Sequence, residues 1–326
     1  MKLATLKNGK RDGALIIVNR ELTHAAPAAD IAITLQEAID NWSVKEPLLT
    51  ERFNLLQGGK LTGSFPLDTK ALAAPLPRAY AWTDSSVYLN HMELARRLRG
   101  AALPVGYRDE PRFYDGVSHT FWASGDPLPC PPGDVGLDFE GEIAVILNDV
   151  PANTPPEATA DKILLLALLN DTTLRTVFAD QMGRGFTNYQ GKPPCSMAPV
   201  VVTPDELGPH WDGKRLSLPL SCHVNGKCIG TPNTGADMAF DFPQIISAAS
   251  KHRPLGAGMV LGAGTVSNRN SSVGCACLAE VRMLEQLEHG EPRSRYLEPG
   301  DRVWLEVHDD TGQSVFGRLE HHVVPQ

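Results

Sequence analysis

The stretch Asp138-Phe139-Glu140-Gly141-Glu142, followed directly by Ile143-Ala144-Val145-Ile146-Leu147, determines how the rest of the chain is interpreted. Side chains two apart in a strand point to the same face, so Glu140 and Glu142 are expected to stand side by side at the mouth of an apolar strand. Two carboxylates this close repel each other, and one should become protonated unless a cation binds between them. A hard divalent ion such as Mg²⁺ or Ca²⁺ suits paired carboxylates. The alternative is that both glutamates are solvated on an exposed strand face.

The composition is that of an ordinary globular protein. The chain has 326 residues, of which 42% are hydrophobic and 21% charged, and its net charge is −8. This length suits one large domain and one smaller domain. The negative charge argues against nucleic acid or an anionic membrane surface as a partner. No apolar run is long enough to span a membrane, and residues 1–7 lack the apolar core of a signal peptide, so a cytoplasmic location is predicted.

The cysteines and the paired histidines carry little functional signal. The six cysteines include no C-x-x-C pair, which argues against a zinc ribbon or a thioredoxin-like site. In a reducing compartment they are most simply small buried hydrophobic residues. Cys275 and Cys277 are predicted to share one face of a strand without a partner pair. His321 and His322 are predicted to be exposed at the end of a strand rather than to bind a metal.

Residues 1–75 are predicted to form a small N-terminal α+β domain. Short strands are expected at residues 3–6, 14–18 and 21–24, where turn residues separate apolar runs. Thr34 and Glu37 form a capping box that should start a helix running to about residue 42. Pro47 should open a second helix, which Gly58-Gly59 would close. Residues 72–77, with two prolines, are predicted to be the linker to the main domain.

Residues 76–326 are predicted to form the main domain, an α+β unit dominated by curled antiparallel sheet. Asp84 is placed as the N-cap of a helix or helical lid that runs to Arg99. The long loop at residues 100–118 is of a kind that is often functional. Further elements are predicted downstream: a buried strand or a helix end at 163–169, a hairpin at 216–230 that turns at Asn225-Gly226, a helix at 241–249, and strands at 278–282, 302–307 and 315–324.

Several polar residues around these elements could carry chemistry. Asp84 and His91 are seven apart, which on a helix is about 10 Å along one face and could place a ligand and a base at opposite ends of a small substrate. Taken singly, each is more often a cap or a surface histidine. Asp171 ends an apolar run and could complete a metal site, with Arg175 and Lys192 binding a substrate carboxylate or an oxyanion. Alternatively, Arg175 forms an i,i+4 pair with Asp171 on a solvated helix.

Taken in order, these pieces resemble the fumarylacetoacetate hydrolase family over about residues 76–326. The family pattern is an aspartate with a histidine seven later, E-x-E on a strand, N-D…R, G-K, G-T and a late strand glutamate. This chain offers the matching residues in that order: Asp84 and His91, Glu140 and Glu142, Asn170-Asp171 and Arg175, Gly191-Lys192, Gly264-Thr265, and Glu280. No single motif is specific, but the ordered set is. Residues 1–75 are similar in role to the small domain found in some members.

The resemblance implies a mixed β-roll, usually dimeric, that binds a divalent metal, here Mg²⁺ or else Ca²⁺ or Mn²⁺. The implied metal ligands are Asp84, Glu140, Glu142 and Asp171. The implied water-activating pair is His91 oriented by Glu280. Arg175 and Lys192 match residues that bind substrate oxygens and stabilise the developing enolate, and Tyr114 and Thr265 match residues that contact substrate.

The implied activity is hydrolysis of a C–C bond in a β-diketo acid, fumarylacetoacetate or a related acylpyruvate. A lyase acting on an oxo-acid such as oxaloacetate, by decarboxylation or hydration, is the second interpretation. The third is a metal and organic-acid-binding protein without catalysis, against which the combination of His91, Glu280, Lys192 and Arg175 argues. Two departures affect the substrate pocket: Phe178 stands where fumarylacetoacetases have a glutamine, and Ser86 stands where they have a tyrosine.

Overall fold

The structure is a computed structural model that describes residues 1–98 and 100–326. Its strands are β1 Lys2–Leu6, β2 Ala14–Val18, β3 His24–Pro27, β4 Phe65–Pro66, β5 Leu72–Ala73, β6 Trp82–Ser85, β7 Phe113–Asp115, β8 Trp122–Ala123, β9 Leu128–Cys130, β10 Leu137–Asp138, β11 Gly141–Leu147, β12 Ile163–Asn170, β13 Thr173–Leu174, β14 Ser196–Met197, β15 Val201–Val202, β16 Leu220–Val224, β17 Lys227–Gly230, β18 Val260–Gly262, β19 Arg302–Val307 and β20 Leu319–Pro325. Its α-helices are α1 Leu35–Asp40, α2 Trp42–Gln57, α3 Leu89–Leu98, α4 Arg175–Gly183, α5 Phe242–Ser250 and α6 Leu278–His289.

The fold is mixed α/β and mainly β, as the sequence predicts. A large sheet runs in the order β4-β3-β2-β1-β15-β12-β11-β18-β6-β7, and β5, β8 and β14 attach to it. A second sheet has the order β17-β16-β19-β20-β9, and β10 pairs with β13. Antiparallel pairs predominate, but β6 runs parallel to β18.

The antiparallel pair β11 and β12 lies in the middle of the large sheet and is buried on both faces. On one face Ile143 and Val145 join a core that includes the inward residues of β16, β19 and β20, so the second sheet packs there. On the other face Ala144 and Ile146 join a core with α1 and α2. A strand buried on both sides needs a continuous apolar run, and of the two interpretations of residues 163–169 the structure shows the buried strand, not the helix end.

The N-terminal strands extend the large sheet. β1 pairs with β2, with β5 and with β15, so residues 1–75 share the sheet of the rest of the chain. Thr34 caps α1 as predicted, but the Glu37 carboxylate accepts from the Ile33 N–H rather than completing the capping box. Pro47 lies inside α2 instead of opening it, because that helix begins at Trp42. The division into two domains at residue 75 stays a prediction.

Two predicted elements around the site are wrong. Asp84 is not a helix cap: it lies in β6, where it pairs with Gly262 of β18, and α3 begins later, at Leu89. The predicted helix end, Arg99, lies outside the described residues. The predicted strand at 278–282 is the start of α6, so Glu280 lies on a helix. The Cys277 sulfur caps α6 by accepting from the Glu280 N–H, and five alternating residues are too few to tell a strand from a helix.

The strand predicted at 21–24 lies instead at His24–Pro27, after a turn, and the strand predicted at 315–324 begins only at Leu319. Several other predicted elements match the structure. The Asn225-Gly226 turn joins β16 to β17 with a positive φ at both residues, as a type I′ turn requires. Asp241 caps α5 in a complete capping box. His321, in contrast, is buried rather than exposed, and its Nδ1 lies 2.7 Å from the Asp126 carbonyl oxygen. No helix in the described part of the chain combines the length and the apolar character needed to cross a membrane.

Candidate active site

A cavity of about 170 Å³ lies where α3, β7, α4 and the loop after β18 meet. Seven of the ten predicted site residues line it: Asp84, His91, Tyr114, Glu140, Arg175, Lys192 and Thr265. The other three, Glu142, Asp171 and Glu280, interact with residues of this lining. Three larger and more open grooves lie elsewhere on the surface of the described residues, but the buried carboxylates border the smaller cavity.

The central strands position the four carboxylates that the sequence assigns to a metal. Glu142 is in β11, Glu140 directly precedes that strand, Asp171 directly follows β12, and Asp84 is in β6. All four are buried, with 6% or less of each residue exposed. The alternative of solvated glutamates on an exposed strand face is therefore wrong. Burying four acidic groups together is costly unless cations or hydrogen bonds compensate them.

Two basic residues compensate half of this charge. The Lys192 ammonium lies 2.6 Å from Glu140 Oε2 and 2.7 Å from Asp171 Oδ2. Arg175 donates to Glu140 Oε1 at 2.6 Å and to Asp138 Oδ2 at 2.8 Å, so it is not the solvated i,i+4 partner of Asp171. Although burial alone would raise the pKa of Glu140, Arg175 and Lys192 hold it well below its usual range. Glu140 is thus a carboxylate at neutral pH.

Asp84 and Glu142 have no such cation. Their Oδ1 and Oε1 atoms are buried without a hydrogen-bond partner in the described structure. Burial first, and then the neighbouring carboxylates, raise the pKa of Glu142 well above its usual value and that of Asp84 from 3.8 to about 7. Two uncompensated carboxylates beside two that are already engaged provide the charge and the oxygen donors that one divalent cation requires. The residues present therefore fit the metal that the sequence predicts.

The four carboxylates surround the cavity without forming a closed cage. Among the described residues, no three of them bring an oxygen each within 4.8 Å of the others. The Lys192 ammonium lies between Glu140 and Asp171 and keeps these two apart. Binding an ion would draw the carboxylates inward, and their assignment as ligands stays a prediction.

Metal affinity is expected to increase with pH. Asp84 must lose its proton to bind a cation, and its pKa is about 7. Affinity for Mg²⁺ or Mn²⁺ should thus rise at least about tenfold per unit between about pH 5 and 7. Because the folded pKa is raised, the protonated carboxyl stabilises the metal-free fold at low pH, and this contribution is lost as pH rises from about 4 to 7. Calorimetry in two buffers of different ionisation enthalpy measures the protons released on metal binding. A metal affinity that does not change between pH 5 and 7 would contradict the prediction.

His91 and Glu280 approach each other from α3 and α6. His91 Nδ1 lies 3.8 Å from Glu280 Oε1. The Ser267 hydroxyl donates to the same Glu280 oxygen, and Asn90 Nδ2 donates to Ser267 Oγ at 2.9 Å. The Glu280 side chain is 3% exposed and that of His91 is 24% exposed, so the histidine is the member that faces the cavity.

Tyr114 and Thr265 lie in the cavity wall, where the sequence places substrate contacts. The Tyr114 hydroxyl donates to Asp171 Oδ2, and the Lys192 ammonium lies 4.8 Å from the Tyr114 ring centre. The hydroxyl of Tyr114 is therefore directed at a carboxylate, and its ring is the part left to contact a ligand. The roles of Tyr114 and Thr265 in substrate binding stay predictions.

Gly264 holds Glu142 through its backbone. Its N–H donates to Glu142 Oε2 at 2.7 Å, its φ is +85°, and a Cβ there would clash with the Ser85 carbonyl oxygen. Gly264→Ala is expected to lower the free energy of unfolding by about 3 kcal/mol or more, because the clash adds to the cost of a positive φ. Gly9→Ala, at φ +81° in open space, should cost about 1 kcal/mol, and urea denaturation compares the two. Equal losses would contradict the clash.

Three residues that the sequence does not assign also support the site. Asp138 accepts from the Leu278 and Ala279 N–H groups at 2.8 and 2.9 Å, and so ties α6 to Arg175. The Cys195 thiol donates to Asp171 Oδ1 at 2.9 Å, and the Thr173 hydroxyl donates to Glu140 Oε2 at 3.0 Å. The spacing Asp138-x-Glu140-x-Glu142 is the signal that could have identified Asp138. The cysteine and the threonine give no such signal.

Two family profiles match the chain. That of the "Fumarylacetoacetate (FAA) hydrolase C-terminal" family matches residues 82–324, and that of the "Fumarylacetoacetase N-terminal domain 2" matches residues 1–78.

Two related proteins align with part of the chain. The chain is 30% identical over 134 residues to the oxaloacetate tautomerase YisK of Bacillus subtilis, which covers 40% of this chain and 41% of that protein. It is 28% identical over 184 residues to an uncharacterized protein of Archaeoglobus fulgidus, and this match covers 55% of this chain and 66% of that protein. The matches therefore span less than two thirds of the length of these relatives.

Solved structures show the same fold over the whole chain. A probable 2-hydroxyhepta-2,4-diene-1,7-dioate isomerase from Mycobacterium abscessus has a TM-score of 0.70 at 20% identity, covering 100% of this chain and 99% of its own. Maleylpyruvate hydrolase from Sphingobium sp. SYK-6, in complex with manganese(II) and pyruvate, has a TM-score of 0.65 at 18% identity and covers 100% of both chains. At these identities the likeness concerns the fold alone.

Proposed function

The chain belongs to the fumarylacetoacetate hydrolase family, and we propose that it hydrolyses a C–C bond in a β-diketo acid, fumarylacetoacetate or a related acylpyruvate, with the help of a divalent metal. The observation that carries the proposal is the His91–Glu280 pair in the same cavity as the buried carboxylates. A reaction at a metal-bound keto acid needs both: acidic ligands for the ion and a base for water.

Asp84, Glu140, Glu142 and Asp171 would hold the ion, with Mg²⁺ or Mn²⁺ as the expected metal. When bound, a divalent cation polarises a carbonyl group and orients the adjacent oxygens of a keto acid. Support for an ion of this kind comes from the two buried carboxylates without a cation, and from the manganese and pyruvate in the maleylpyruvate hydrolase complex.

His91 would act as the general base. Its Nδ1 faces Glu280, so a proton on Nδ1 leaves the lone pair of Nε2 to accept a proton from water. Once the 3.8 Å separation closes to hydrogen-bond distance in the working complex, Glu280 would hold this tautomer and stabilise the imidazolium that forms. The Asn90–Ser267 hydrogen bonds would in turn hold Glu280 in place.

The proposed reaction then proceeds by attack and cleavage. The water oxygen bonds to the acyl carbonyl carbon, the C–C bond to the neighbouring carbon breaks, and its electron pair forms an enolate. The proton held by His91 passes to that carbon, which gives a shorter keto acid, and the carboxylic acid formed from the acyl group releases its own proton to solvent and becomes a carboxylate. From fumarylacetoacetate these products are fumarate and acetoacetate.

Lys192 and Arg175 would bind the oxygens that gain charge. An ammonium has three donors, and Lys192 uses two on Glu140 and Asp171, so one remains for substrate. Arg175 uses its Nε and one terminal nitrogen on Asp138 and Glu140. These ion pairs also fix both cations before substrate arrives, which is the preorganisation that stabilises an oxyanion.

Tautomerisation of an oxo-acid is the second candidate, favoured by the names of the oxaloacetate tautomerases among the relatives. The same His91 would then move a proton between carbon and oxygen, with no water added. A homodimer and a small anionic oxo-acid as partner also remain proposals.

The test separates the two reactions. The purified protein with Mn²⁺ is incubated with acylpyruvates, fumarylacetoacetate and oxaloacetate in water enriched in oxygen-18. The proposal predicts cleavage of a diketo acid, with the label in the new carboxylate. Interconversion of keto and enol oxaloacetate without cleavage of any diketo acid would overturn it in favour of tautomerisation.

A further inference from the structure

A soft-donor cluster lies beside the carboxylates, behind the cavity wall. His91, Cys277 and Glu280 each place one ligand atom, a ring nitrogen, a sulfur and a carboxylate oxygen, and these atoms lie within 4.8 Å of one another. Within the part of the chain that the structure describes, no other three His, Cys, Asp or Glu side chains come this close together. The cluster thus differs from the all-oxygen carboxylate set both in donor chemistry and in compactness.

One ligand atom of the cluster, His91 Nδ1, has no partner in the described structure. His91 Nδ1 is buried and has no hydrogen-bond partner among the described residues, and its 3.8 Å separation from Glu280 Oε1 is too long for a hydrogen bond. Two ligands on one tetrahedral zinc ion, with bonds of about 2.0–2.3 Å, lie roughly 3.5 Å apart. The observed separation is close to that value.

Rigid elements hold all three residues. Cys277 is the N-cap of α6 and Glu280 lies one turn later, so both face α3, which carries His91. Ser267 donates to Glu280, and Asn90 donates to Ser267 at 2.9 Å. Such outer hydrogen bonds orient the ligands of a metal site and contribute to its affinity.

We infer that His91, Cys277 and Glu280 form a second metal site, which takes Zn²⁺ or a similarly thiophilic divalent ion and is distinct from the carboxylate site. Imidazole, thiolate and carboxylate are the donors that zinc accepts, and three protein ligands leave a fourth position for water. Binding replaces the thiol proton of Cys277, which is released to solvent, and the complex of Zn²⁺ with one thiolate and one carboxylate is neutral.

Zinc at this site would inhibit the reaction through the histidine tautomer. A metal on Nδ1 of a neutral imidazole leaves the proton on Nε2, which then has no lone pair to accept a proton from water. Inhibition would occur even with the carboxylate site filled by Mg²⁺. This consequence rests on the proposed role of His91 as base, whereas the metal site itself rests on the ligand geometry alone.

The test uses Co²⁺ as a visible substitute for zinc, added without substrate to the intact protein already saturated with Mg²⁺. The expected result is a thiolate-to-cobalt charge-transfer band that Zn²⁺ removes by competition. Cys277→Ser keeps an oxygen that can cap α6 and should abolish the band. The matched control is Cys195→Ser, which removes the buried thiol beside Asp171 and should leave the band unchanged.

Inhibition is measured separately on the substrate that the enzyme turns over. Cys277→Ser should raise the Zn²⁺ concentration for half-inhibition by at least about tenfold, the lower limit for changes even to outer partners of a metal. A wild-type protein without the band, or an equal band in Cys277→Ser, overturns the site. A cobalt band without inhibition by zinc supports the site and counts instead against His91 as the base.

Discussion

His91→Ala is expected to lower kcat by about 10²–10⁴-fold, the range that a positioned general base contributes. His91 lines the cavity, and its Nδ1 lies 3.8 Å from Glu280 Oε1. It is not one of the four proposed ligands of the ion, which are all carboxylates. Affinity for Mn²⁺, measured by calorimetry with Mg²⁺ and zinc absent, should therefore stay within about twofold of wild type. The loss should appear in turnover and not in metal loading.

A surface histidine provides the control for this variant. His252 is exposed, so His252→Ala should keep full activity. Restoration of part of the activity of His91→Ala by added imidazole would further assign the lost function to proton transfer. Full turnover by His91→Ala would remove this histidine from the mechanism, and joint loss of turnover and metal binding would assign it a structural role instead.

Glu142→Gln should have two opposite effects. It removes a ligand, so affinity for Mn²⁺ should fall by about 100-fold or more, and activity should fall with it. It also removes a buried acid whose pKa is raised by burial and by repulsion from Asp84, and which therefore destabilises the metal-free fold near neutral pH. A neutral amide of the same shape can still accept from the Gly264 N–H, so the metal-free variant should melt at a higher temperature than metal-free wild type near neutral pH.

Thermal melting with EDTA and with Mn²⁺ measures both effects. Wild type should gain stability from the metal, and Glu142→Gln should gain little. Glu157→Gln, at an exposed position, should behave like wild type in both conditions. A variant that is less stable than wild type without metal, yet still stabilised by Mn²⁺, would show that Glu142 is a structural acid and not a ligand.

The sequence reveals much of this site because acidic residues interrupt apolar strands. Glu142 and Asp171 stand out against the continuous apolar runs of β11 and β12, and a charge at the end of a buried strand needs a partner. The sequence alone can identify each such residue separately, but it does not show which of them lie together. The cavity that brings them together depends on β6 pairing with β18, which the sequence does not reveal.

The partners of the charged groups could not be predicted for the same reason. Lys192 reaches Glu140 across 52 positions of sequence, and Asp138 reaches α6 across 140. Local spacing instead suggests Asp171 as the partner of Arg175, whereas Arg175 pairs with Asp138 and Glu140. The family order identifies Glu280 but predicts it on a strand, because the cap of α6 is a cysteine rather than a usual N-cap residue.

The central claim is that Asp84, Glu140, Glu142 and Asp171 close around one divalent cation. The most direct test is anomalous scattering from crystals grown with Mn²⁺. The account predicts a single strong peak in the cavity, at about 2–2.5 Å from oxygens of these residues. A peak bound by other residues, or no peak in crystals of active protein that contain Mn²⁺, would contradict it.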